Sequence, residues 1–524
     1  MGDASSNDYV INIDEGEGYT IDGRFEMSTD GRVTRSINTL DTTTLTVSKT
    51  WANDHGDYFG TRPFPDGQYG KRWKVDVLVQ QSADEGATWT PVYAFNADGS
   101  DSPLVLSIEA GKSASSDTAP IIRGLPRQNA QGVALSYRAV ELQVGPQKDV
   151  VDEGGTFYQN YTTSYAHGGS ADTGFTSDIT NTLRGTEILV EKQWENNPPE
   201  TARKPVKLRL QYNNGAGMKD TKLDLKLDGK VDASPGQAAE YEAWKGRFSD
   251  LPVYMPNEDG TLPAKETDYG VRERTPPTGV QFVEVSQSTG PDDKPLFTFV
   301  NRLTASITWT KHWHDGGAAD RPQSLELVLL ADGTPFTGTA KLTIGETTSE
   351  HEFVEGSFTI TPSFAGSHTW QFTIADLPRY NQQSQEIQYT IQEVNPPAGY
   401  ESEIEGRILR NTLLTEVSVR KVWIDGENQE NTRPESITIK LLANENDTGE
   451  RLTLPNADGE WAGMFENLPQ YDKDNQKITY TVAEEGVPDG YSIKIGVQPA
   501  TNTFTVTNTL LTGLPVEKVW LDGG

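Results

Sequence analysis

Five times in this chain a lysine stands two residues ahead of a tryptophan on an apolar segment: Lys49 and Trp51, Lys192 and Trp194, Lys311 and Trp313, Lys421 and Trp423, Lys518 and Trp520. A strand shows alternate residues on one face, so the lysine face reads Leu45, Val47, Lys49, Trp51 in the first copy and Val417, Val419, Lys421, Trp423 in the fourth. Ile188, Val190, Lys192, Trp194 and Ile307, Trp309, Lys311, Trp313 repeat the pattern. Each copy sets a charge where a core residue belongs. The recurrence divides a chain of 524 residues, too long for a single core, into tandem small domains.

Three further landmarks follow each lysine in a fixed order. An Arg-Pro or near equivalent (Arg62-Pro63, Arg203 with Pro205, Arg321-Pro322, Arg433-Pro434) precedes an alternating strand. A Leu-Pro turn comes next, at Leu125-Pro126, Leu251-Pro252, Leu377-Pro378 and Leu468-Pro469. Then a Tyr-x-x-x-Glu strand (Tyr137 and Glu141, Tyr269 and Glu273, Tyr389 and Glu393, Tyr480 and Glu484) leads to a closing strand that ends on Asn181, Asn301, Asn411 or Asn508. Short strands between Gly, Asn, Asp and Pro turns, with hardly any helical periodicity, predict an all-β chain of small antiparallel β-sandwiches.

The expected boundaries are 1–40 for the C-terminal part of a preceding repeat, then repeats at 41–184, 185–303, 304–413 and 414–510, and 511–524 as the first strand of another. Only ten or eleven residues separate each closing Asn from the next Lys (181 to 192, 301 to 311, 411 to 421, 508 to 518). Linkers of a few residues predict a semi-rigid, elongated rod. Lys-to-Asn separations shrink from 132 in the first repeat to 87 in the fourth, so the early repeats carry insertions, and 142–176 reads as the most loop-like. Glu15 and Asn38 at one end, and Lys518 at the other, are members of incomplete copies.

Each full repeat thus aims a Lys, a Glu and an Asn at its core. Burial of an unpaired charge is costly, and such groups shift toward their neutral forms, lysine down and glutamate up. A neutral amine is a nucleophile, and a carboxyl can shuttle protons. An amine such as that of Lys421 held against the side-chain carbon of Asn508, with Glu484 beside both, could condense to an amide and release ammonia. The other use of the same trio is a buried Lys–Glu ion pair bridged by Asn, an arrangement that seldom adds net stability.

The order Lys-x-Trp, Arg-Pro, Leu-Pro, Tyr-x-x-x-Glu and closing Asn-Thr-Leu resembles the collagen-adhesin B-type (CnaB) repeats of Gram-positive surface proteins and pilins. The resemblance implies Ig-like, inverse-Ig sandwiches in which the first-strand Lys bonds to the last-strand Asn under catalysis by an acidic residue. Carried over by motif, it pairs Lys49 with Asn181 and Glu141, Lys192 with Asn301 and Glu273, Lys311 with Asn411 and Glu393, and Lys421 with Asn508 and Glu484. Two places depart from the pattern: Arg302 follows Asn301 where Thr is expected, and Glu141 lacks the Pro-Gly sequel of the later copies.

Composition narrows the alternatives. A formal net charge of −31 argues against nucleic acid or an anionic membrane surface as partner. The absence of cysteine excludes disulfides, thiolate metal sites and a cysteine thioester. No segment is apolar enough to cross a bilayer, and no secretory stretch follows Met1, so any signal or cell-wall anchor is expected outside these residues. His312 and His314 flank Trp313 without a recognisable third ligand, so no metal is expected, nor any cofactor.

The function expected is that of a monomeric, extracellular stalk in a cell-wall-anchored adhesin. Its partners are neighbouring repeats and, through a tip domain elsewhere, a host surface ligand. It is not an enzyme beyond a single self-directed turnover. The rival is a ligand-binding adhesin region whose first repeat contacts a host glycan or matrix protein through 142–176 or the loops from Asp84 to Ser116.

Overall fold

A computed structural model describes residues 22–27, 33–39, 41–63, 73–95, 100–109, 120–129, 131–234, 236–257, 261–317, 321–361, 368–429, 431–455, 460–513 and 517–518. The chain divides into two compact units, Met1–Asn301 and Arg302–Gly524, and each holds two sandwiches. Among the described residues, regular structure is β-strand apart from three 3₁₀ turns, and no helix is long and apolar enough to cross a membrane.

All four sandwiches share one plan. The first strand (Thr42–Ala52, Gly185–Trp194, and the relevant parts of Pro295–His314 and Ile408–Ile424) lies between two partners. On one side it pairs antiparallel with the strand that runs into the Leu-Pro turn. On the other it pairs parallel with the closing strand. The facing sheet holds the strand after the Arg-Pro landmark paired antiparallel with the Tyr-x-x-x-Glu strand: Lys74–Ser82 with Ser136–Glu141, Val206–Asn213 with Asp268–Glu273, Leu325–Ala331 with Tyr389–Glu393, and Ile437–Ala443 with Tyr480–Glu485. Apolar residues alternate inward from both sheets, as with Leu45, Val47, Val75, Val77 and Ile179 in the first core and Val417, Val419, Ile437, Ile439 and Val506 in the fourth.

The parallel first–last pair differs from the purely antiparallel sandwich expected. It has a topological reason: parallel strands at the two ends of a sandwich let the chain enter at one end and leave at the other. The connections between sandwiches are short. Ile408–Ile424 is a single strand that closes one sandwich and opens the next, and only Arg184 separates Gly174–Leu183 from Gly185–Trp194.

Two landmarks find their purpose in the same bond. The tyrosine hydroxyl donates to the carbonyl of the Leu-Pro proline in every copy, Tyr137 to Pro126, Tyr269 to Pro252 and Tyr389 to Pro378 at 2.7 Å and Tyr480 to Pro469 at 2.8 Å. A proline carbonyl at a turn has no ladder partner, so the hydroxyl both satisfies it and ties the two sheets together.

The insertion at 142–176 is largely irregular as far as Asn160, but from Tyr161 onward it is not the loop its Gly, Ser and Thr suggest. Tyr161–Ser170 and Gly174–Leu183 form a long hairpin in register from Tyr161–Leu183 to Ser170–Gly174, because Tyr and Thr favour strands and Gly174, at φ 83°, supports the tight turn. At the chain ends, Val33–Thr39 contains Asn38 and pairs with Asp22–Met27, while Glu15 and Trp520 lie outside the described residues. Lys518 is exposed and in no strand.

Candidate functional site

Cross-strand register brings lysine and asparagine together identically in the four sandwiches. In the parallel pair, Trp51 stands opposite Asn181, Trp194 opposite Asn301, Trp313 opposite Asn411 and Trp423 opposite Asn508. Lysine lies two residues before the tryptophan, so Lys and Asn are diagonal neighbours on the core face. The lysine amine lies over the indole of its own Trp, at 4.7, 4.9, 4.6 and 4.1 Å from the ring centroid in chain order. That contact explains the motif: two same-face strand residues are spaced so that the indole covers the amine and shields it from water.

The glutamate arrives from the facing sheet. In each sandwich the asparagine Nδ2 donates to its Oε1, at 3.0 Å for Asn181–Glu141, 2.6 Å for Asn301–Glu273 and 2.9 Å for Asn411–Glu393 and Asn508–Glu484. Lysine contacts the same carboxyl in three. Lys49 Nζ is 3.0 Å from Glu141 Oε1, Lys421 Nζ 3.0 Å from Glu484 Oε2 and Lys311 Nζ 3.6 Å from Glu393 Oε2. In the second sandwich Lys192 instead donates to the carbonyls of Gln193 and Phe299 at 2.9 and 3.0 Å. Glu273 there is half-buried, and its Oε2 has no partner.

Burial dominates the electrostatics. It pulls Lys49 down to about 8 against the opposing charge of Glu141, and Lys192 and Lys311 to about 7 against Glu273 and Glu393. Lys421 is lowered for the same reason, with Glu484 opposing. Burial raises Glu273, against the hydrogen bond from Asn301 and the charge of Lys192. Near neutral pH the amines of Lys49, Lys192 and Lys311 therefore hold a reactive neutral fraction that an exposed lysine lacks.

A second polar set around the tryptophan was not legible as such in the sequence. Asp54 binds the Arg62 guanidinium through Nε at 2.6 Å and Nη2 at 2.8 Å, Asp315 binds Arg321 at 2.9 Å, and Asp425 binds Arg433 at 2.5 Å. Each guanidinium sits 5.1–5.7 Å from the indole centroid of Trp51, Trp313 or Trp423. A hairpin tyrosine, Tyr161, Tyr400 or Tyr491, edges against the same ring and donates to the same aspartate at 3.1–3.2 Å. The Arg-Pro landmark is thus half of a clamp that closes the tryptophan end of the core. In the second sandwich Asn197 takes the place of the aspartate and binds Arg203 at 2.6 Å.

Three further tryptophans pack against those of the repeated motif. Trp244 and Trp370 are buried and Trp461 partly so, and they pack on Trp194, Trp313 and Trp423 at 5.3–5.5 Å. Among the described residues no group of three or more His, Asp or Glu side chains is placed to hold a metal ion.

Residues 307–412 and 417–509 each match the family described as Cna protein B-type domain. A collagen adhesin of Staphylococcus aureus is 26% identical over 414 residues, a match spanning 76% of this chain and 28% of that protein's length. Among solved structures, two B repeat units of the collagen binding protein of Staphylococcus aureus align over 90% of this chain and 99% of theirs, at 19% identity and a TM-score of 0.19. The pilus adhesin SpaC of Lactobacillus rhamnosus GG, in its open conformation, aligns over 84% of this chain and 57% of its own, at 13% identity and a TM-score of 0.25.

Proposed function

We propose that this chain, which matches the Cna protein B-type domain over residues 307–412 and 417–509, is a stalk segment of a Gram-positive surface adhesin, each of whose four sandwiches closes a Lys–Asn isopeptide bond. One observation carries the reading. In all four, a glutamate from the facing sheet holds the asparagine amide by Oε1 while a buried lysine shares that asparagine's face.

The reaction follows from the first sandwich. Lys49 passes a proton to Glu141 Oε1, 3.0 Å away, and the neutral amine attacks Asn181 Cγ. The Nζ–Cγ bond forms, the Cγ–Nδ2 bond breaks, and the departing nitrogen takes back the carboxyl's proton and the second proton that Nζ sheds, leaving as ammonium, so the uncharged chain is lighter by one ammonia. Glu141 Oε1 also accepts from Asn181 Nδ2, at 3.0 Å, so one oxygen serves both transfers. Each site turns over once, and the glutamate is regenerated.

The bond ties first strand to last. It restricts the unfolded module by roughly 4 to 5 kcal/mol in the loop-entropy description. It also lets tension entering at one terminus leave at the other without unzipping the core, and it resists proteolysis. A link that reductants cannot cleave suits an extracellular, cell-wall-anchored, monomeric protein without cysteine. Any host ligand is bound by a tip domain beyond these residues.

Intact-mass measurement tests the reading. The full chain is expected to be lighter than its sequence by one ammonia per bond, four in all, and Lys421→Ala to restore one. A mass equal to the unmodified sequence would falsify it.

A further inference from the structure

In three sandwiches the hairpin strand that precedes the closing strand places one residue directly opposite the reacting asparagine. In the first sandwich it is Thr163, opposite Asn181, in the third Ser402, opposite Asn411, and in the fourth Ile493, opposite Asn508. Thr163 is fully buried. Its hydroxyl oxygen lies 2.9 Å from Asn181 Oδ1 and 3.1 Å from Glu141 Oε2. Ser402 donates to Glu393 Oε2 at 2.6 Å. The side-chain Oδ1 atoms of Asn301, Asn411 and Asn508 are buried without a partner, so Asn181 alone of the four has a donor at the atom where negative charge develops.

A hydroxyl has one proton and can donate to only one of two acceptors at a time. Which acceptor wins is set by charge, since a donor prefers the more negative oxygen. While Glu141 is a carboxylate, that oxygen is Oε2. Once the carboxyl has taken the lysine proton and the amine has added to Cγ, it is Oδ1. We propose that Thr163 is a catalytic residue of the first sandwich, whose hydroxyl proton swings from Glu141 to Asn181 Oδ1 and stabilises the oxyanion of the tetrahedral intermediate. Its distance falls in the range at which such donors act. No proton is lost or gained overall, because the hydroxyl proton returns to the carboxylate when ammonia departs. This assignment rests on the isopeptide reading and adds to it a residue outside the Lys, Glu and Asn set.

The test uses the full chain, recovered unfolded, refolded by dilution, and sampled over time for each cross-linked peptide by mass spectrometry. Thr163→Val is expected to slow the Lys49–Asn181 link on the order of 100-fold while the other three keep pace as internal controls, and Thr163→Ser to restore it. Conversely, Ile493→Thr should hasten the Lys421–Asn508 link. A Thr163→Val chain that links at the wild-type rate overturns the proposal, and so does Thr163→Ser lagging as badly as Thr163→Val, which would reveal packing of the methyl group instead. If Thr163→Val leaves the first sandwich unfolded, Ile493→Thr decides: no acceleration overturns the proposal, acceleration upholds it. A wild-type chain with no link in any sandwich removes the underlying reading itself, an outcome separate from a Thr163 effect.

Discussion

The first and second sandwiches begin from the same register and diverge in what surrounds it. In the first, Lys49 and Glu141 are in contact with both side chains sealed from solvent, and Asp54 and Arg62 clamp Trp51. In the second, Lys192 turns to two backbone carbonyls, Glu273 is half-buried, and Asn197 replaces the aspartate. Strand pairing therefore brings lysine beside asparagine, but it does not choose the lysine rotamer. A long flexible side chain takes whichever acceptors are nearest, and only a well-buried carboxylate outcompetes the carbonyls.

The largest effect expected on this contrast is all-or-none. Glu141→Gln and Glu273→Gln should each abolish the link of their own sandwich, adding one ammonia to the intact mass and leaving the other three in peptide maps. Retention of the Lys192–Asn301 link in Glu273→Gln would show that the second sandwich does not use its glutamate. Next in size is stability. Lys49→Met and Lys192→Met should each lower the unfolding free energy of their sandwich in guanidinium by roughly 4 to 5 kcal/mol, and the two losses should differ by only about 0.2 kcal/mol, because loop entropy grows slowly with length. A much larger gap would locate the difference in packing.

Smaller still is the effect of pH. Below its pKa the amine is an ammonium ion and cannot attack, and above it the amine is neutral, so linking must speed up as pH rises through the folded-state value. With Lys192 at about 7 and Lys49 at about 8, the second sandwich should reach its plateau roughly one pH unit before the first during refolding at pH 6 to 9. The reverse order would mean that proximity to Glu141 outweighs the supply of neutral amine. The smallest effect belongs to Asn197→Asp, which gives Arg203 a carboxylate and should stabilise the second sandwich by about 1 kcal/mol in the same guanidinium titration. No gain would separate the clamp from the aspartate that marks it elsewhere.

Alternation alone reveals that Lys49, Glu141 and Asn181 face inward, because strand periodicity is written in neighbouring residues. Thr163 stays hidden for a different reason. Its role depends on which residue of a hairpin faces Asn181, and that register is set by the turn at Ser170–Gly174, which composition presents as loop. Arg62 is visible as a repeated landmark, yet its partner Asp54 precedes it by eight residues across a turn, a spacing no periodicity encodes. The turn of Lys192 toward Phe299 is the outcome of a competition among acceptors, and sequence contains the competitors without their distances.

The unbroken strand Ile408–Ile424 bears on how the cross-linked chain would come apart. With the proposed bonds in place, the covalent skeleton becomes rings strung on short bridges. A cut anywhere between Lys421 and Asn508 opens a ring but releases nothing. Only a cut between Asn411 and Lys421 severs the molecule there, and that bridge is paired along its length, to Tyr400–Glu405 through Leu413 and to Ala462–Pro469 from Leu414 onward. The residues whose cleavage would matter most are thus those held in a sheet, out of the open extended form that a protease must seize.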